Sequence, residues 1–292
     1  MHDRYAGDIG DFGKIALLRA IQSQGLSVAV NWYRVEPLDV ELKADGSFKQ
    51  EDGKYLIPDR LKVCDEELAE TLTKIAKSTN RSIKALEKQS LIPGAKYYRD
   101  PVTVEDREGW HAHALTSLNG VDIVFLDPDN GMLVKSVGKR SVRSVKYTFY
   151  EEVSDYIKRG QSVLVYNHRG RKPEGPYFQE LYHRLASNIK VSEEKLLAIT
   201  FPKCSVRDYI AIPASEDHYI KIKTAMEGMV EGIWGQMGVC RFPKVEKVLE
   251  TRIEGSENSS TSRSGYLQKH TQRRHPMNTS FAVSMLELMT SS

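Results

Sequence analysis

Two uninterrupted apolar runs, each ending in polar residues, constrain the fold of this 292-residue chain most strongly. The first is IVFL at 123–126, followed by DPDN, and the second is VLVY at 163–166, followed by NHRG. Strands with one exposed face alternate apolar and polar residues, so uninterrupted runs are typical of strands that are buried on both faces. Helical spacing at 150–159 separates the two runs, which predicts a parallel pair joined by a helical crossover.

The rest of the chain continues the alternation of helices and strands. Helices are predicted at 11–22, 64–78, 81–89, 104–118, 175–189 and 217–234. Further strands are predicted at 26–35, 95–99, 194–203 and 207–214, and the short turn between the last two indicates an antiparallel pair. Residues 36–60 are predicted to form a long loop with a small hairpin at 54–57.

This order of elements predicts an α/β fold. We expect a Rossmann-like three-layer sandwich with a mostly parallel sheet and a C-terminal antiparallel hairpin. One domain is expected over 1–250. Residues 251–292 include the polar run GSENSSTSRSG and are predicted to be a flexible, disordered tail. Alternatively, the short apolar run FAVSMLELM at 281–289 forms a helix that binds a partner.

Composition narrows the class of protein without defining a function. The formal net charge is +3, so charge alone does not require a nucleic-acid partner. The three cysteines lie far apart and lack metal-binding spacing, which indicates a reducing compartment. No segment is apolar enough to span a bilayer, and the charged, Gly-rich N-terminal segment is unlike a signal peptide. We therefore expect a cytoplasmic protein without a membrane partner.

Polar residues follow both apolar runs, and these exits are the strongest functional signal in the sequence. In open parallel sheets, ligands bind beyond the carboxyl ends of the strands. Residues 127–130 and 167–169 are therefore expected to lie at the same edge of the sheet. Within DPDN, Asp127 and Asp129 could share a Mg²⁺ or Mn²⁺ ion, because both metals prefer oxygen ligands. Alternatively, Asp129 or Asn130 caps the turn.

The strand followed by Asp-Pro and a polar residue resembles motif IV of class I S-adenosylmethionine-dependent amino-methyltransferases, which reads D/N-P-P-Y/F. Asp127 and Pro128 match this motif, whereas Asp129 replaces its second proline and Asn130 its aromatic residue. The resemblance implies that the Asp127 side chain and the Pro128 carbonyl accept hydrogen bonds from the target amino group. It implies a base in nucleic acid as the target.

AGDIGDFGK at 6–14 resembles the AGN-x-x-D-x-x-K segment of ribosomal RNA adenine methyltransferases that act on large-subunit RNA. Ala6, Gly7, Asp11 and Lys14 match, and Asp8 replaces the asparagine. The resemblance implies that this segment helps to form the S-adenosylmethionine pocket. Lys14 would then meet a ligand carboxylate, and Gly7 would let backbone approach the ligand. Alternatively, the segment is only a helix N-terminus that is capped by Asp8 or Asp11, and Lys14 is solvated.

One departure from that class concerns the first strand. Class I methyltransferases carry a Gly-rich turn after it, whereas this chain continues as NWYRVEPLD without glycine. Either the cofactor is held differently or it is not S-adenosylmethionine. The GDIGDFGK and FLDPDNG segments also resemble those of a family of uncharacterised bacterial proteins, a resemblance that implies no function.

The segment YNHRGRK at 166–172 supplies the remaining candidate residues. His168 could act as a general acid or base. Arg169, Arg171 and Lys172 could hold phosphate, although basic loops are usually only solvated. With the basic loop 138–146, they suit a nucleic-acid or nucleotide substrate.

The sequence therefore predicts an S-adenosylmethionine-dependent methyltransferase-like protein that acts on nucleic acid. One alternative is a metal-dependent nuclease or phosphoryl-transfer enzyme, in which Asp127 and Asp129 bind Mg²⁺ or Mn²⁺ and His168 is the base. A second alternative is a non-catalytic binding module on the same fold. The sequence does not predict an oligomeric state.

Overall fold

The computed structural model describes residues 1–36, 55–170 and 172–244. The predicted tail 251–292 and the candidate phosphate ligand Arg171 lie outside the described residues. The predicted hairpin at 54–57 lies partly outside them, and its described residues, 55–57, are not in a strand.

Helices and strands alternate along the described chain. The helices are α1 (Ile9–Ser23), α2 (Glu66–Lys77), α3 (Ile83–Lys88), α4 (Arg107–Ser117), α5 (Tyr150–Lys158), α6 (Glu174–Ile189), α7 (Glu216–Glu231) and α8 (Ile233–Gln236). The strands are β1 (Val28–Asn31), β2 (Lys96–Tyr98), β3 (Ile123–Leu126), β4 (Gly131–Met132), β5 (Tyr147–Thr148), β6 (Ser162–His168), β7 (Leu197–Phe201) and β8 (Arg207–Ile212). A search of the described helices finds none with the length and apolar character needed to cross a membrane.

Six of these strands form one sheet in the order β2-β1-β3-β6-β8-β7. The pairs β1–β2, β1–β3 and β3–β6 are parallel, whereas β8 runs antiparallel to both β6 and β7. This arrangement confirms the predicted Rossmann-like α/β fold with its mostly parallel sheet and C-terminal antiparallel hairpin. The strand predicted at 26–35 is shorter than expected, because Tyr33 adopts a φ of +44° and turns the chain.

Helices cover both faces of the sheet and make it the middle of three layers. Along β3, Ile123 and Phe125 face one apolar core, and Val124 and Leu126 face the other, as the alternation of a strand requires. The first core includes buried residues of α1, α2 and α7, and the second includes buried residues of α4, α5 and α6. Burial on both faces explains why β3 and β6 are uninterrupted apolar runs.

Candidate functional site

A cavity of about 400 Å³ opens at the carboxyl edge of β3 and β6. We call it the sheet-edge cavity. Its volume lies within the range of about 300–1,000 Å³ that is usual for ligand sites. The predicted site residues that line it are Asp8, Asp11, Lys14, Asp127, Pro128, Asp129, Asn130 and His168. The structure therefore brings together the N-terminal segment, the exit of β3 and the exit of β6.

Lys14 joins the N-terminal segment to the exit of β3, although the two are 113 positions apart. Its Nζ donates hydrogen bonds of 2.7 Å to Asp11 Oδ1 and of 2.7 Å to Asp127 Oδ2. Asp11 Oδ2 accepts a further hydrogen bond of 2.7 Å from the backbone N–H of Gly7. All three charged side chains are buried. We call this arrangement the Lys14 bridge.

The charges within the Lys14 bridge stabilise one another. Burial raises the pKa of Asp127, and the Lys14 ammonium opposes that shift. Burial also disfavours the charged form of Lys14, but Asp11 and Asp127 raise its pKa overall. Two of the three ammonium donors are used by protein carboxylates, so the observed role of Lys14 is to neutralise them. Its binding to a ligand carboxylate stays a prediction.

Asp8 caps the N-terminus of α1. Its Oδ1 accepts hydrogen bonds from the backbone N–H groups of Gly10, at 2.7 Å, and Asp11, at 3.1 Å. The alternative interpretation of the segment as a helix N-terminus is therefore confirmed for Asp8, which also lines the cavity. Its prediction of a solvated lysine is wrong, because Lys14 is buried between two carboxylates. Burial and the nearby Asp11 raise the pKa of Asp8 to about 6, although Arg207 lies 4.0 Å from its Oδ2.

Asp8→Asn is expected to stabilise the protein above about pH 6 and to have little effect near pH 4. The pKa of Asp8 is higher in the folded state than in the unfolded state. Between about pH 4 and pH 6 the folded state therefore binds more protons than the unfolded state. The stability that Asp8 contributes consequently falls as the pH rises through that window. Asparagine caps helices as well as aspartate does but carries no charge. The expected gain at pH 8 is on the order of 1–3 kcal/mol, measured by urea unfolding. An equal effect at pH 4 and pH 8 would refute the assignment.

Gly7 has a structural role that the sequence did not indicate. Its φ is +82°, and a Cβ atom there would lie 2.5 Å from the carbonyl oxygen of Leu72 in α2. The close backbone approach that was predicted toward a ligand is therefore an approach to α2. The backbone N–H of Gly7 also donates a hydrogen bond to Asp11 and so holds that carboxylate in the orientation that Lys14 binds.

The Asn130-Gly131 turn connects the exits of β3 and β6. The carbonyl of Asn130 accepts a hydrogen bond of 3.2 Å from the N–H of His168, and Asn167 Oδ1 accepts one of 3.2 Å from the N–H of Met132. Gly131 has a φ of +102°, and a Cβ atom there would lie 2.7 Å from the Cα of Asn167. These contacts position Asn130 and His168 beside each other at the sheet edge.

Gly131→Ala is expected to lower the free energy of unfolding by about 2–5 kcal/mol, because it adds backbone strain and a steric clash with Asn167. Gly138→Ala is the matched control, since a Cβ atom there meets nothing within 4 Å and its φ is not positive. Urea unfolding of both variants measures the difference. Equal stability of the two variants would contradict the described turn.

Asp129 contacts the amino group of Met1 and the imidazole of His2. Its Oδ1 lies 3.1 Å from the amino group of Met1, and its Oδ2 lies 3.0 Å from Nε2 of His2. Burial alone would raise the pKa of Asp129, but the Met1 amino group and His2 lower it overall. Over residues 1–36, 55–170 and 172–244, no group of three or more His, Cys, Asp or Glu side chains is placed to hold a metal ion. A metal shared by Asp127 and Asp129 stays a prediction.

Arg169 and Lys172, the two predicted phosphate ligands that the structure describes, do not line the sheet-edge cavity. Arg169 Nε donates a hydrogen bond of 2.9 Å to Asp208 Oδ2, and its NH1 lies 3.1 Å from Glu174 Oε1. Lys172 donates a hydrogen bond of 2.6 Å to Glu180. Two carboxylates already pair with the buried Arg169, so a phosphate would have to compete with them.

Arg207, at the start of β8, is a cavity residue that the sequence analysis missed. It lies opposite His168 in the β6–β8 register, and its NH1 donates to the carbonyls of Lys203 and Ser205. Partial burial and Arg207 lower the pKa of His168, which favours the neutral form of its imidazole. The predicted hairpin could have indicated Arg207, because the first residue of its second strand returns to the carboxyl edge of β6.

The exit of β1 is closed by a buried tyrosine where class I methyltransferases have a Gly-rich turn. Asn31 Oδ1 accepts a hydrogen bond of 3.2 Å from the N–H of Tyr33, which supports the positive φ of that residue. The Tyr33 hydroxyl donates to Glu152 Oε2 at 2.9 Å. None of residues 31–36, all of which are described, lines the sheet-edge cavity.

Neither a protein-family model nor a curated protein matches this chain. Fold and site together define its class as an α/β protein with a polar cavity at the carboxyl edge of its sheet. The charged groups of that cavity come from segments far apart in the chain.

Proposed function

We propose that this protein is an S-adenosylmethionine-dependent methyltransferase that acts on nucleic acid, and that the sheet-edge cavity holds its cofactor. The Lys14 bridge is the observation that carries this proposal. Asp11 and Lys14 come from the segment that resembles a cofactor-pocket motif, and Asp127 comes from the segment that resembles an amino-acceptor motif. The side chains of the two segments are in direct contact, through the hydrogen bond from Lys14 to Asp127.

The charges of the cavity suit a ligand that carries both signs. The carboxylates that line it are those of Asp8, Asp11, Asp127 and Asp129, and the cationic side chains are those of Arg4, Lys14, Lys146 and Arg207. S-adenosylmethionine carries a sulfonium, an ammonium and a carboxylate group. We assign its carboxylate to Arg207, because Lys14 already binds two protein carboxylates, and its cationic groups to Asp8 and Asp11. When bound, the cofactor supplies a methyl group on a positively charged sulfur.

The exit of β3 would orient the acceptor. Lys14 binds Oδ2 of Asp127, so we assign Oδ1 and the carbonyl of Pro128 as acceptors for the N–H bonds of a target amino group. Asn130 adds a further polar contact beside them. In such a transfer the amino group would lose one proton as the methyl group leaves the sulfur, and we assign His168, which lines the cavity, as the acceptor of that proton.

Closure of the β1 exit favours a second candidate, a non-catalytic binding module on the same fold. Tyr33 is fully buried at the position where the Gly-rich turn of the class would hold its cofactor. In this second candidate, the sheet-edge cavity binds a small zwitterionic or anionic ligand and transfers no group.

A methyl-transfer assay distinguishes the candidates. The full chain is incubated with methyl-labelled S-adenosylmethionine and either RNA or DNA, and label in the nucleic acid is counted. The methyltransferase proposal expects label in one of them, whereas cofactor binding without transfer to either would support the binding module. A parallel incubation with Mn²⁺ and no cofactor tests the metal alternative, which expects strand cleavage or phosphate release.

A further inference from the structure

A second depression, of about 620 Å³, lies beside the sheet-edge cavity and shares Asn130 and His168 with it. We call it the β4–α6 groove, because one side comes from β4 and the residues that follow it and the other from α6. Its lining residues include Met132, Lys135, Tyr147, Tyr177, Leu181 and Arg184. None of these six residues lines the sheet-edge cavity.

The groove differs from the sheet-edge cavity in charge. Its cationic lining residues are Lys135, Lys172 and Arg184, and Glu180, its acidic lining residue, is hydrogen-bonded to Lys172. Lys135 and Arg184 therefore carry the excess positive charge. Arg184 Nε is buried and makes no hydrogen bond within the described chain, and Glu180 Oε1, at 3.9 Å, is too distant for one. The Arg184 side chain is 19% exposed, so an anion in the groove can contact its guanidinium group.

The apolar part of the groove offers aromatic surface in a fixed position. Asn167 Nδ2 donates a hydrogen bond to the Tyr177 hydroxyl, and Asn167 Oδ1 accepts one from the N–H of Met132. The Asn167 side chain therefore contacts both Tyr177 and the backbone of Met132, and so fixes the position of the Tyr177 ring. Tyrosine rings at protein surfaces stack with nucleobases of any sequence.

The basic character continues from the groove along the following loop. Between 135 and 146 the chain carries five basic residues and no acidic one, namely Lys135, Lys139, Arg140, Arg143 and Lys146. This run begins at the groove and ends at Lys146, which lines the sheet-edge cavity. A run of that length suits several successive phosphates better than a single nucleotide.

We propose that the β4–α6 groove binds a nucleotide of single-stranded nucleic acid and directs its base toward Asn130 and His168, where the groove meets the sheet-edge cavity. This inference rests on the proposed function, because it names the site at which the methyl acceptor enters. The phosphates contact Lys135 and Arg184, and the base packs against Tyr177.

The test measures binding of fluorescently labelled single-stranded RNA and DNA, each about 10 nucleotides long, by anisotropy at several salt concentrations. The groove variant is Lys135→Gln/Arg184→Gln. The control is Lys74→Gln/Lys223→Gln, which removes the same charge from exposed positions on α2 and α7. We expect the groove variant to bind about tenfold or more weakly, and its log–log salt slope to fall by about 1.4, which is ~0.7 for each lost phosphate contact. The control should bind as the native chain does.

Equal weakening in the groove variant and the control, or no binding of either nucleic acid, would overturn the inference. Titration of S-adenosylmethionine into the groove variant tests cofactor binding separately. It distinguishes failure of the groove proposal from failure of the methyltransferase proposal. Native cofactor binding combined with groove-independent nucleic-acid binding would refute the groove alone. Groove-dependent nucleic-acid binding without any cofactor binding would refute the methyltransferase proposal and leave the groove as a nucleic-acid site.

Discussion

Lys14→Met is expected to lower the free energy of unfolding by about 3–5 kcal/mol, because it leaves the carboxylates of Asp11 and Asp127 buried without their shared cation. Methionine has nearly the length of lysine, so loss of packing contributes little. Asp11 and Asp127 are 1% and 3% exposed, so water replaces little of the lost interaction. The loss should be smaller at pH 5 than at pH 8, since burial raises the pKa of Asp127 and its protonation relieves the repulsion.

Urea unfolding of the native chain and the variant at both pH values measures this effect. Lys221→Met is the control, because the ion pair of Lys221 with Asp217 has a similar distance of 2.7 Å but is largely exposed, so its loss should cost about 1 kcal/mol or less. The triple variant Asp11→Asn/Lys14→Met/Asp127→Asn should recover much of the stability, since it removes all three charges. A Lys14→Met loss as small as that of Lys221→Met would contradict the described bridge.

Asp127→Asn is expected to reduce kcat for methyl transfer by about 10²–10⁴-fold, with S-adenosylmethionine binding largely retained. The amide has the shape of the carboxylate, but it lacks the charge and can present a donor where the target amino group needs an acceptor. Asp129→Asn should keep most of the activity, since Asp129 contacts Met1 and His2 and has no role in the proposed transfer.

The assay of labelled methyl transfer measures both variants, and urea unfolding shows whether each still folds. An Asp127→Asn variant that is folded, binds cofactor and has an unchanged kcat would refute the assignment of the acceptor. Manganese-dependent cleavage that is lost in Asp129→Asn would instead support the metal alternative.

The strand exits were the most predictable part of the site. The apolar runs at 123–126 and 163–166 indicated strands buried on both faces, and the rule that ligands bind beyond parallel strand ends placed 127–130 near His168. The structure places both segments around one cavity. Local periodicity was sufficient here because each run is long and ends abruptly in polar residues.

Contacts between distant segments could not be predicted in the same way. The motif indicated that Gly7 approaches a ligand, whereas in the structure α2 packs against Gly7. No local sequence pattern indicates which helix packs against this residue. From the sequence, Lys14 is a cation available to a ligand. In the structure it pairs with two buried carboxylates. The strand predicted at 26–35 ended early, because an Asn31 side-chain hydrogen bond supports a positive φ at Tyr33, and propensity disfavours that conformation for tyrosine.

Calorimetric titration of S-adenosylmethionine into the full chain measures directly whether the sheet-edge cavity binds this cofactor. The same titration into a variant that fills the cavity shows whether binding occurs there. Ser205 lines the sheet-edge cavity from the turn before β8 and is partly exposed, so Ser205→Trp should obstruct the cavity without disturbing the core. We expect saturable binding with one site per chain in the native protein. We expect that Ser205→Trp loses this binding and keeps the unfolding midpoint of the native chain. Absence of binding in the native chain, or undiminished binding in a folded Ser205→Trp variant, would contradict the proposed cofactor site.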